Sequence, residues 1–187
     1  LIQQEGVFHN YCSSWHEVYE QIQKKTNDKP MIERYPIIID TDMTNEIDDE
    51  YALSYLYSFE NAKIEAVTIA QHFSLYRGQY DVAKNVENSY QKTLEITKLI
   101  RPDLVNKIYK GDTMIKAFGS WDKNVSDAVK NIIRICHENE KVIFIAIGAM
   151  TNLAHALEID PKVADKIKLY SLMGFSGINK LLPETNM

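Results

Sequence analysis

The sequence predicts an α/β fold in which a mainly parallel sheet carries helices on both faces. Short apolar runs rich in β-branched residues alternate with longer segments whose apolar residues recur at helical spacing. This alternation is typical of parallel strands joined by helical crossovers. The chain has 187 residues, of which 45% are hydrophobic and 25% charged, a composition that suits one globular domain with its own core.

Five segments are predicted to be strands because they are short, apolar and mostly β-branched. The run KVIFIAI is the most apolar of them, and a glycine follows it directly. Since each strand is separated from the next by a helical segment, all five are expected in one sheet. The predicted strands are 36–40, 63–70, 107–110, 141–147 and 167–173.

The segments between the strands predict amphipathic helices. The clearest is 79–100, where apolar residues repeat every four positions from Val82 to Leu94. Pro102 marks its end, because proline disfavours helical conformation in the residue before it. The remaining predicted helices are 14–25, 47–59, a segment that includes 125–136, 152–159 and a short turn after Pro161.

Residues 1–35 are predicted to form an N-terminal helical extension, separate from an α/β domain that covers 36–187. Ser14 and Glu17 have the spacing of a capping box, and an apolar stripe follows at helical spacing. The first residue is Leu1 rather than Met, so we expect either a cytoplasmic protein or one exported after loss of a leader. Both locations stay open at this point.

Composition and charge argue against several classes of partner. The net charge is −5 and the chain has no long basic run, which disfavours nucleic acid as the main partner. No apolar stretch approaches the roughly 20 residues that a membrane span needs. We therefore expect neither a nucleic-acid partner nor a membrane partner. The two cysteines, Cys12 and Cys136, are far apart and lack the spacing of a metal site.

The most unusual stretch is an acidic turn, residues 40–49, between the first strand and the first helix. Like charges at this density repel each other in a fold unless a positive group lies among them, and a hard cation is the natural candidate. Ligands of parallel sheets bind beyond the carboxyl ends of the strands, where this turn lies. The acidic residues of the turn are Asp40, Asp42, Glu46, Asp48 and Asp49.

Two alternatives for the acidic turn come from the residues themselves. It could be a solvated loop whose carboxylates favour a helix N-terminus. It could also belong to a haloacid dehalogenase-type phosphatase, because residues 39–44 fit the pattern hhhDxDxT, with Asp40 as nucleophile and Asp42 as acid/base. That family also places an acidic pair after a later strand, and no convincing pair is present here.

A third alternative is more specific, because the chain resembles the inosine–uridine-preferring nucleoside hydrolases at four places in order. Residues 40–53 resemble the opening signature DxDPGxDDAxAL, with the Pro-Gly replaced and a loop two residues longer, as in an NEIDD-type branch. Residues 147–154, IGAMTNLA, resemble GPLTNLA. Residues 167–174 resemble a strand ending in MGG, and 183–186 resemble EFN.

The resemblance implies a Rossmann-like nucleoside hydrolase fold, of which this chain would hold the N-terminal part. It implies calcium-dependent hydrolysis of the N-glycosidic bond of ribonucleosides, giving ribose and free base. Asp42 and Asp49 would be Ca²⁺ ligands together with the backbone carbonyl of Ile147, and Asp42 would also be the catalytic base. Asp48 would hold a ribose hydroxyl. The other expected sugar contacts are Met173, Asn179, Glu184 and Asn186.

The sequence departs from this family in two ways. His72 and Phe73 stand where the family usually has Gly-Asn, so His72 is a candidate polar contact to the substrate or leaving group. The family also continues beyond its EFN motif with a His-Asp pair that completes the calcium site and helps the base leave. The alternative function is therefore binding of ribose or metal without catalysis, by a truncated or degenerate relative of the family. The family also implies a possible homo-oligomer.

Overall fold

The computed structural model describes residues 31–74, 77–113 and 124–172. Five strands of this part form one sheet in which every neighbouring pair is parallel. The strands are β1 (Ile37–Thr41), β2 (Ile64–Ile69), β3 (Ile108–Lys110), β4 (Val142–Ala146) and β5 (Ile167–Ser171). Their spatial order is β3-β2-β1-β4-β5. The predicted parallel sheet is confirmed, and each observed strand lies within two residues of its predicted bounds.

Helices connect these strands, and most begin close to where the periodicity predicts. The main ones are α2 (Asp48–Tyr57), α3 (Val82–Ile100), α4 (Asp127–Glu138) and α5 (Thr151–Ile159). Two short helices, α1 (Met31–Arg34) and α6 (Val163–Lys166), flank this set, and a 3₁₀ helix spans Pro102–Lys107. No helix within the described ranges is long and apolar enough to cross a membrane. The predicted helix 14–25 lies outside the described residues.

Helix α3 begins three residues later than predicted, for a local reason. Ser74 and Gln79 exchange two backbone hydrogen bonds of 3.1 and 2.9 Å, which closes the preceding loop. Asp81 then caps the helix by accepting a hydrogen bond of 3.0 Å from Lys84 N. The loop and its cap therefore replace the first turn that periodicity alone predicts.

Alternate residues of β1 enter two separate cores, one on each face of the sheet. Ile37 and Ile39 pack into the cluster that includes Leu53 of α2, and Ile38 packs into the opposite cluster with Ile132 of α4. These side chains are 0–2% exposed, as expected for a strand covered on both sides. The predicted helices on both faces are therefore confirmed.

The strand order determines where a ligand can bind. From β1 the chain proceeds to β2 and β3 on one side and then returns to β4 on the other side. In such a sheet a crevice opens at the carboxyl ends of the two strands where the order reverses, here β1 and β4. The acidic turn follows β1, and the segment that begins at Ile147 follows β4. The first two of the four segments that resemble the hydrolase family therefore lie at this crevice.

The core on the α4 face provides a stability prediction. Ile132→Val removes one methylene from a side chain that is 0% exposed, so we expect a loss of about 1 kcal/mol in the free energy of unfolding. Ile47→Val is the matched control, because Ile47 is 66% exposed, and it should change stability by less than about 0.5 kcal/mol. Urea denaturation measures both, and equal losses would contradict this packing.

Candidate active site

Asp42 lies just beyond the carboxyl end of β1 and is 1% exposed. Its Oδ2 accepts a hydrogen bond of 3.0 Å from Asn45 Nδ2. The turn is tight, because Asn45 N also donates to the Asp42 carbonyl at 2.7 Å. Asp42 Oδ1 is buried and has no hydrogen-bond partner among the described residues. A buried acceptor in this state costs free energy, which makes Oδ1 suited to take a ligand.

Asp49 turns inward from the first turn of α2 and approaches the end of β1. It accepts a hydrogen bond from Thr41 Oγ1, and its charge acts on Asp42. Its neighbour Asp48 is exposed at the helix N-terminus, where the helix dipole favours negative charge. The two adjacent acids therefore have different surroundings, one beside Asp42 and the other at the surface.

Burial raises the pKa of each inward-facing carboxyl group. The pKa of Asp42 rises to about 8, first through burial and then through the nearby charge of Asp49. Burial raises the pKa of Asp49 to about 6, although the Thr41 hydrogen bond opposes this. Burial likewise raises the pKa of Asp40 to about 7. The charges of neighbouring carboxylates also raise all three pKa values, and a cation among these acids would oppose that repulsion.

The segment after β4 reaches the same place. Ile147 N and Gly148 N both donate to the backbone carbonyl of Asp40, at 2.9 and 3.2 Å. Gly148 has no space for a side chain, because a Cβ there would lie 2.9 Å from Asp42 N and 3.2 Å from Asp42 Oδ1. The acidic turn and the segment after β4 therefore meet at the carboxyl ends of β1 and β4.

The donor set fits part of a calcium site. The Asp42 and Asp49 carboxylates are hard oxygen donors, as is the backbone carbonyl of Ile147, and Ca²⁺ takes six to eight oxygens. Within the described ranges, no three His, Cys, Asp or Glu side chains are grouped so that they could hold a metal ion. Any cation here would therefore need ligands beyond these two carboxylates.

Asp40 is completely buried beneath the turn, where it contacts β2 and α5. Its Oδ1 accepts hydrogen bonds from Thr68 Oγ1 at 2.5 Å and from Asn152 Nδ2 at 2.9 Å. Asn152 does not cap its own helix, since the N-cap of α5 is Met150. The acidic turn is likewise solvated only in part: Asp40, Asp42 and Asp49 are 0–4% exposed, whereas Glu46 and Asp48 are exposed.

Sequence reasoning missed a second buried pair near the ends of β2 and β3. The Nδ1 of His155 lies 2.6 Å from Asp112 Oδ2. Both side chains are almost completely buried. The one available signal was Asp112 directly after a strand and a glycine, at the sheet edge where ligands bind.

His72 follows β2 as predicted, and its side chain is 3% exposed. Neither ring nitrogen has a hydrogen-bond partner among the described residues. Burial, assisted by the charge of Arg77, lowers the pKa of His72 to about 4, so the ring is neutral at pH 7. Its backbone carbonyl accepts from Asn85 Nδ2 at 3.0 Å, which ties the loop to α3. A substrate contact by His72 stays a prediction.

The buried His72 predicts a pH dependence of stability. Its folded-state pKa of about 4 lies below the ordinary 6.5, so between these values the unfolded chain binds more protons. Stability from this group is therefore lost as pH falls through that window, by up to about 3 kcal/mol. Urea unfolding at pH 4.5 and 7 should show a smaller acid loss for His72→Gln than for the unmodified protein. The same loss in both would contradict this, and exposed His137→Gln is the control.

The remaining predicted sugar contacts cannot be placed. They lie outside the described residues, which end at Leu172. Their roles therefore stay predictions from the resemblance. These residues are Met173, Asn179, Glu184 and Asn186.

Several solved structures with a similar fold are described as nucleoside hydrolases. A plant nucleoside hydrolase aligns with a TM-score of 0.57 at 18% identity, over 75% of this chain and 48% of that one. An inosine-guanosine nucleoside hydrolase aligns at 0.55 and 19%, over 79% and 51%. A purine-preferring ribonucleoside hydrolase from Gardnerella vaginalis aligns at 0.53 and 24%, over 75% and 49%. The chain therefore spans about half the length of these relatives.

A family comparison decides between the alternatives for the acidic turn. No curated protein matches the chain. The profile of the inosine-uridine preferring nucleoside hydrolases, however, matches residues 37–179. That range includes the acidic turn and the segment after β4, which leaves the phosphatase alternative without support. The chain belongs to the inosine-uridine preferring nucleoside hydrolase family.

Proposed function

We propose that this protein, in its full-length form, hydrolyses the N-glycosidic bond of ribonucleosides in a calcium-dependent reaction. The observation that carries the proposal is the orphaned Asp42 Oδ1, buried beside Gly148 and near the carboxylate of Asp49. Family membership supports the reaction class. The choice of calcium rests on the oxygen donors, which suit a hard cation.

In this proposal Asp42, Asp49 and the Ile147 carbonyl hold the cation. When bound, the cation would supply a positive charge that lowers the pKa of water and orients ribose hydroxyls. Asp42 then accepts a proton from the attacking water through its carboxylate. The neighbouring N–H groups of Ile147 and Gly148 are occupied by the Asp40 carbonyl, so they hold the crevice wall and take no part in substrate binding.

The sugar, rather than the base, is expected to receive most of the binding energy. Breaking an N-glycosidic bond builds positive charge on the ribose ring, and nearby carboxylates stabilise that charge as they do in glycosidases. Asp48 lies exposed beside Asp49 at the N-terminus of α2, and in this proposal it binds a ribose hydroxyl. Recognition of ribose would leave room for several bases.

Ribose release by the full-length gene product tests this proposal. Inosine and uridine are each incubated with Ca²⁺ or with a chelator, and reducing sugar is measured. The proposal predicts release that depends on calcium for at least one nucleoside. Calcium or ribose binding without any release would favour the non-catalytic alternative, and release that is unaffected by the chelator would contradict the metal requirement.

A further inference from the structure

Asn152 lies in the first turn of α5 with its side chain completely buried. Its Nδ2 donates hydrogen bonds to Asp40 Oδ1 at 2.9 Å and to the Ile69 carbonyl at 3.1 Å. Its Oδ1 accepts from Asp112 N at 2.9 Å. One carboxamide therefore joins the ends of β1 and β2 and the segment after β3 to helix α5.

Asp112 is attached to the same helix a second time, through its side chain. Its Oδ2 lies 2.6 Å from Nδ1 of His155, three residues beyond Asn152 and on the same side of the helix. Gly111 permits this approach, because a Cβ there would lie 2.1 Å from the Ile69 carbonyl and 2.4 Å from Asn152 Oδ1. Asn152, Asp112 and His155 are named here the buried brace.

The buried brace is connected to the candidate cation site through Asp40. The Asp40 side chain accepts from Asn152, and its backbone carbonyl accepts from Ile147 N and Gly148 N. Gly148 in turn lies against Asp42 N and Oδ1. Asn152 thus holds Asp40, and the backbone carbonyl of Asp40 fixes Ile147 and Gly148 beside Asp42.

We infer that Asn152 is a positioning residue for cation binding, which it controls through Asp40, with Asp112 and His155 holding its carboxamide in place. The inference rests on the proposed function, because it assumes that Asp42 and Ile147 bind the cation. A helix cap does not explain these contacts, since all three bonds of the carboxamide leave α5. Changing such a supporting group weakens metal binding by about 10- to 100-fold in other metalloproteins.

Calcium titration calorimetry on the full-length protein tests the inference without measuring turnover. Asn152→Leu keeps the number and branching of the side-chain heavy atoms and removes all three hydrogen bonds, so calcium affinity should fall at least about 10-fold. Asn152→Asp keeps the acceptor for Asp112 N but loses the donor to Asp40, and it tests the same point if the first variant does not fold. Asp112→Asn should cause a smaller loss.

Tyr57→Phe is the control for a general loss of stability. It removes the 2.8 Å hydrogen bond between Tyr57 and Thr97, two residues that lie in the C-terminal turns of α2 and α3. It should lower the melting temperature and leave calcium affinity unchanged. Affinity within about 2-fold of the unmodified protein in the folded Asn152 variants would overturn the inference alone. Absence of calcium binding by the unmodified protein would overturn the proposed function together with the inference.

Discussion

Asp42→Asn is expected to lower kcat for ribose release by about 10³-fold or more. The substitution keeps the size of the side chain and an oxygen that can accept the 3.0 Å hydrogen bond from Asn45. It removes the negative charge and makes the group unable to accept a proton from water. The variant loses the proposed base and a proposed cation ligand together, so calcium affinity should fall as well. Steady-state kinetics and calorimetry measure the two effects.

Asp127→Asn is the matched control for this prediction. Asp127 is an exposed acid in the first turn of α4, where it pairs with Lys130 at 3.3 Å. Surface ion pairs of this kind contribute little, so activity and stability should be nearly unchanged. Folding of Asp42→Asn is checked by thermal unfolding without calcium. The variant should remain folded, because a neutral amide avoids the cost of burying a charge. Turnover near that of the unmodified enzyme would refute Asp42 as the base.

Gly148→Ala is the second large effect that the site predicts. The added methyl group would lie 2.9 Å from Asp42 N and from Ala70 Cβ, and 3.2 Å from Asp42 Oδ1. The backbone on one side of the crevice must therefore move. Displacements of about 1 Å at a catalytic group can cost about 100-fold in rate, so kcat/KM should fall by that order. Overpacking should also reduce the free energy of unfolding by about 1–3 kcal/mol.

The control for this change is another glycine substitution outside the crevice. Gly78 has φ +67°, and a Cβ there would have its nearest neighbour at 4.0 Å. Gly78→Ala should therefore cost about 1 kcal/mol through backbone strain alone, with activity retained. If Gly148→Ala keeps full activity while Gly78→Ala loses it, the close contact at Asp42 does not control the reaction.

The sheet could be predicted because its strands carry strong local signals. Ile37, Ile38 and Ile39 are β-branched and bounded by a proline and an aspartate, and the observed β1 lies one residue from its predicted position. Convergence of the acidic turn with Gly148 followed from a general property of parallel sheets. The short helix α1 and the 3₁₀ helix were missed because four to six residues are too few for a periodic pattern.

Contacts between distant residues are what the sequence could not predict. Asp112 and His155 are 43 positions apart, and no local pattern links a carboxylate after one strand to a histidine within a helix. The different surroundings of Asp48 and Asp49 depend on how α2 is rotated against β1, which adjacent identical residues do not reveal. The opening motif did single out Asp42, because four aspartates including Asp42 lie in one turn, and its role in the site stays a prediction.

A crystal structure of the full-length protein with Ca²⁺ and ribose tests the central claim most directly. The account predicts a cation within about 2.3–2.6 Å of Asp42 Oδ1, with Asp49 and the Ile147 carbonyl among its ligands. Ribose hydroxyls should complete the coordination on the open side of the crevice. A structure in which calcium and ribose are present at saturating concentration but bind elsewhere, with Asp42 Oδ1 paired to a protein donor, would contradict it.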